Sequence, residues 1–83
     1  MEYKYIGKNI SYKMLKEAIL NFNLNEDYTI VLNYNNFDDI VLEYRDIYSE
    51  EMIFPHYLLG VEIREEENNE SVPQNRIGII KNE

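Results

Sequence analysis

Cysteine and tryptophan are absent from this chain, histidine occurs once, and proline and glycine only two and three times. Without cysteine there is no disulfide framework and no thiolate zinc site. Stability must therefore come from packing, alone or with association to another subunit. The three glycines are scattered, so neither a phosphate-cradling loop nor a dinucleotide fingerprint is present. Long apolar runs are missing too: stretches such as Tyr57–Val61 fall far short of the roughly 20 residues that span a membrane. Met1-Glu2-Tyr3-Lys4 opens no basic-then-apolar leader, and the expectation is a soluble, cytoplasmic protein.

Positive charge is the other scarcity. Eight Lys and Arg stand against sixteen Asp and Glu, a net −8, and the imbalance is local. Residues 1–25 sum to +2 and residues 71–83 to +1, whereas residues 26–70 carry thirteen acids against Arg45 and Arg64, a net −11. Phosphate contacts need clustered Lys and Arg, so direct nucleic-acid binding is not expected. An acidic middle suits a protein partner with a basic surface, or the basic N-terminal segment of another copy in a homo-oligomer. It also serves plain solubility.

Eighty-three residues form one domain near the small end of what folds alone. Tyr3 and Tyr5 alternate with Lys4 and Ile6 in a first strand, Glu2–Ile6. Ser11 is an N-cap for a helix over Tyr12–Phe22, with Met14, Leu15, Ala18, Ile19 and Phe22 as its apolar stripe. Asn23 and Asn25 stop it. Tyr28–Tyr34, rich in β-branched and aromatic residues, reads as a central strand closed by Asn35 and Asn36.

Phe37–Tyr48 fits a helix better than a strand. Asn36 is its expected N-cap, Asp38 and Asp39 lie in its first turn, and Phe37, Ile40, Val41, Tyr44 and Tyr48 share one face. After a polar link at Ser49–Met52, Tyr57–Glu65 reads as one strand, with Leu59, Val61 and Ile63 on one face and Gly60 at a bulge. Residues 66–75 read as a mobile loop. Arg76–Lys81 reads as a last strand returning antiparallel to Tyr57–Glu65. The expected class is α+β in the order β-α-β-α-β-β, with a mixed or antiparallel sheet of about four strands and the helices on one face.

Chemistry is sparse. His56 lies between Pro55 and Tyr57, and Ser11, Ser49 and Ser71 fall at a cap, a link and a loop, so no nucleophile–base constellation and no enzyme activity is expected. Asp38, Asp39 and Glu43 could hold a divalent cation weakly, but acids at a helix start are ordinarily there to favour the macrodipole. No cofactor is expected.

The eight tyrosines are the positive signal, because a domain this small cannot bury them all and tyrosine favours interfaces. Tyr44 and Tyr48 among Glu43, Asp46, Glu50 and Glu51 suit an Arg-rich surface. The expected partner-binding residues are Asp38, Asp39, Glu43, Tyr44, Asp46, Tyr48, Glu50 and Glu51, within Phe37–Glu51.

Leu58-Leu59-Gly60-Val61-x-Ile63, Val72-Pro73 and Arg76-Ile77-Gly78-Ile79-Ile80 resemble strand–loop–strand pieces of phage structural proteins over about a quarter of the chain. The pattern is common to β-hairpins and transfers no functional residue. The expectation is a small protein-interaction or assembly module of bacterial or phage origin. The alternative is a phage-type inhibitor whose acidic face mimics nucleic acid to block a host or defence protein.

Overall fold

The computed structural model describes residues 1–83. Its elements run β1 (Glu2–Tyr5), α1 (Tyr12–Asn21), β2 (Tyr28–Leu32), α2 (Tyr34–Tyr48), β3 (His56–Leu58), β4 (Val61–Glu65) and β5 (Arg76–Lys81). The class is α+β, with five strands rather than four. They lie in the order β1-β5-β2-β4-β3; β2 and β4 are parallel and the other neighbours antiparallel.

Helix α1 begins where its sequence says it should. The Ser11 hydroxyl accepts from the Met14 N–H at 3.2 Å, satisfying one of the orphan donors of the first turn. It ends in a Schellman motif: Asn23 takes φ 54°, and the Leu24 and Asn23 N–H groups bond to the Ile19 and Leu20 carbonyls.

Helix α2 starts three residues earlier than expected. Its N-cap is Asn33, not Asn36: the Asn33 side chain accepts from the Asn35 N–H at 2.9 Å, and its carbonyl takes the Phe37 N–H at 2.8 Å. A single residue thus turns β2 into α2. Asp38 and Asp39 consequently sit beyond the first turn. Asn36 is instead buried and pairs with Asn75, accepting from its N–H at 2.8 Å.

Tyr57–Glu65 is two strands, not one with a bulge. Leu59 and Gly60 both have positive φ, 51° and 85°, the pattern of a two-residue type I′ hairpin turn. Leu58 therefore lies opposite Val61, and the alternation restarts across the turn. Leu58, Val61 and Ile63 share the buried side, and Leu59 is left exposed in the turn.

The partner expected for the last strand is also corrected. β5 runs between β1 and β2 and does not touch β4, because β2 occupies the place between them. β2 is the strand whose residues are most completely buried, so the centre of the sheet is where its burial is greatest.

Both helices cover one face of the sheet. β1–α1–β2 and β2–α2–β4 join strands that run the same way, and both connections step in one direction across the sheet, so crossovers of one hand place both helices together. The core gathers Leu15, Ala18 and Ile19 of α1, Phe37 and Ile40 of α2, and Ile30, Leu32, Val61, Ile63, Ile77 and Ile79 of the strands. Met52, within the link expected to be polar, joins them.

On the other face, Tyr3, Gly78, Val31 and Arg64 form one row across the sheet. The Tyr3 hydroxyl donates to the Ser71 carbonyl, and Arg64 grips Glu70 through two 2.8 Å bonds. Residues 70–71 thus lie over this row. Val31 and Val72 are buried there, outside the main cluster. Glu66 ties the same loop to the start of α2, accepting from the N–H groups of Val72 and Tyr34 at 2.8 and 3.1 Å. No helix is long and apolar enough to cross a membrane.

Candidate functional site

The C-terminal half of α2, the start of α1 and β3 meet in an aromatic cluster. Tyr12 and Tyr44 each contact the other and both Tyr48 and His56, with ring centroids 4.6–6.3 Å apart, within the range of favourable tilted and edge-to-face contacts. Tyr44 and Tyr48 reach it because they are one helical turn apart on α2. Tyr12 reaches it as the first residue of α1.

The Tyr12 hydroxyl and His56 Nε2 share a 2.9 Å hydrogen bond. Burial lowers the His56 pKa below its ordinary value, which keeps the ring neutral near pH 7. Burial raises the Tyr12 pKa, with smaller contributions from Tyr48 and Tyr44. The bond ties the first residue of α1 to the first residue of β3.

Glu43 shows how local spacing misleads. Its Oε1 accepts from the Tyr12 backbone N–H at 2.9 Å, supplying a carboxylate to the N-terminus of α1 where the macrodipole favours one. It is half-buried and committed inside the fold. The other expected acids are free: Asp38, Asp39, Asp46, Glu50 and Glu51 are all exposed. The ion pairs of the protein lie elsewhere, at Lys4–Glu2 and at Arg64 with Glu67 and Glu70.

Successive helical residues are about 100° apart. Asp39, Glu43 and Asp46 share one flank, whereas Asp38 falls with Leu42 and Arg45 on the outer side. Tyr48 is 51% exposed beside exposed Ile47, while Tyr44 is half-buried. The eight residues expected at the surface thus divide. Six remain available, Tyr44 contributes an edge, and Glu43 faces inward. Asp38, Asp39 and Glu43 do not converge, and no group of three or more His, Asp or Glu side chains is placed to hold a metal ion.

An open groove of about 480 Å³ lies between α2 and the end of β4, lined by Phe37, Phe54, Pro55, Ile63 and the Glu62–Glu65 stretch of β4. It exists because β3 starts only at His56, opposite Ile63, and leaves the last two residues of β4 without a neighbour on that side. Sequence reading gave no sign of it, since it depends on where β3 begins.

No protein-family model, curated protein or solved structure matches the chain.

Proposed function

We propose that this chain is a small protein-interaction module without catalytic activity, of bacterial or phage origin. In this reading the outer surface of α2 and the link after it dock on a basic surface of a protein partner. The supporting observation is five exposed carboxylates, on Asp38, Asp39, Asp46, Glu50 and Glu51, with no ion pair inside the fold. Exposed carboxylates left without an internal partner are free to meet a cationic surface and to steer its approach. Leu42, exposed between Asp38 and Asp46 on the outer side, supplies apolar area among them, and exposed Ile47 flanks them.

A strict mimic of nucleic acid needs all its carboxylates on one face. Asp38 diverges from Asp39, Arg45 interrupts the outer side, and Glu43 is turned to α1, so the broader reading has the better support.

The test is affinity capture from bacterial lysate with the native chain and with Asp39→Lys/Asp46→Lys/Glu50→Lys/Glu51→Lys, each at low and high salt. A partner held by the native chain, released by salt and missed by the variant supports the reading. Equal capture by both chains refutes it. Competition by duplex DNA identifies the mimic instead.

A further inference from the structure

The two edges of the sheet differ. β3 has three residues and is preceded by Pro55, both common guards against edge pairing. β1 has neither. Its usual guard would be Lys4, but Glu2 lies 2.7 Å from the Lys4 ammonium and cancels it.

The direction of the β1 backbone follows from the register. Asn82 N–H bonds to the Asp27 carbonyl, and Tyr28 lies opposite Lys81. Residues 27 and 82 are therefore a hydrogen-bonded pair, and such pairs alternate along antiparallel strands. Gly78 and Ile80 then bond to β2, while Ile77 and Ile79 bond to β1. Their opposite residues are Lys4 and Glu2. The main-chain groups of Tyr3 and Tyr5 consequently point outward, where no strand follows.

We propose that β1 pairs with β1 of a second copy of this chain, antiparallel about a two-fold axis at Tyr3, giving one ten-stranded sheet. Charge selects the register. Three two-fold registers centred within Glu2–Lys4 keep the outward groups facing each other. One sets Glu2 against Glu2 and one sets Lys4 against Lys4. The third, centred on Tyr3, sets each Glu2 opposite Lys4 of the second copy. Those positions form the non-hydrogen-bonded pair, in which side chains come closest.

The two Glu2–Lys4 pairs then merge into an alternating cluster of four charges. Tyr3 and Tyr5, 46% and 57% exposed, extend across the junction on the helix-free side. Phe22, beneath the Lys4 ammonium at 5.7 Å, flanks it on the helix side. This surface uses no residue of α2, so it stands or falls apart from the reading above.

Sedimentation equilibrium from about 10 μM to about 1 mM covers the affinities of a small edge interface. The native chain is expected to dimerise. Glu2→Lys and Lys4→Glu, each alone, are expected to weaken dimerisation at least about tenfold, since each makes the edge all of one sign. Their equimolar mixture and the double swap Glu2→Lys/Lys4→Glu are expected to recover it. Tyr3→Pro removes an outward N–H without touching the β1–β5 bonds and is expected to abolish it, with far-UV circular dichroism confirming the fold. A native chain that stays monomeric overturns the proposal. So does dimerisation that ignores the single charge changes, or that the mixture fails to restore.

Discussion

Replacing Asn33 by alanine removes two different hydrogen bonds, and the two can be separated. The side-chain oxygen caps α2 by accepting from Asn35 N–H, and the side-chain amide donates to the Val72 carbonyl at 3.0 Å. Losing the cap costs about 1 kcal/mol. Leaving a half-buried carbonyl without its donor costs about another 1 kcal/mol. A loss of roughly 2 kcal/mol is a large part of the 5 kcal/mol or so that a domain this small can hold. It corresponds to a Tm lower by roughly 10 °C. Asn33→Ser keeps a capping oxygen and loses only the amide donor, so it should cost about half as much. Urea unfolding followed by circular dichroism, with an unchanged m value, measures both. The reasoning is refuted if alanine lies within about 0.5 kcal/mol of the native chain, or if serine is as damaging as alanine.

Three further outcomes are expected. Arg64 holds the Glu70 carboxyl down at about 2, from an ordinary 4.5. The native state thus binds fewer protons than the unfolded chain in that interval, and the stability from this pair is complete above pH 4.5 and lost as pH falls toward 2. Glu70→Gln should cost about 1 kcal/mol at neutral pH, after screening at a partly exposed site, and the difference should vanish in acid; chemical denaturation across pH reads it. His56 is also lowered, from 6.5, so the unfolded chain protonates first and stability should decline as pH drops below 6.5. A His56 midpoint at or above 6.5 by NMR contradicts this. Leu59 takes a left-handed φ of 51° that asparagine tolerates better, so Leu59→Asn should stabilise the hairpin by about 1 kcal/mol in thermal unfolding.

The sequence alone settled what local chemistry can settle. Ser11 and Asn23 bracket α1 because a cap and a left-handed stop act within a turn or so of the residues they serve. Phe37 and Ile40 identify the buried stripe of α2 through helical period alone. The acidity of Asp38–Glu51 needed only counting.

Tertiary structure decided whatever joins distant residues. Asn36 is the N-cap that local pattern suggests, and Asn33 falls inside the expected strand, until Asn75 claims Asn36 and Asn33 takes the cap. Glu43 looks as free as Asp46 until Tyr12, 31 positions earlier, presents an N–H to it. The place of β5 is the plainest case. Antiparallel pairing with β4 is the short-range solution, yet β2 lies between them. A strand's neighbours are set by which apolar faces are buried together, and no window of sequence contains that information.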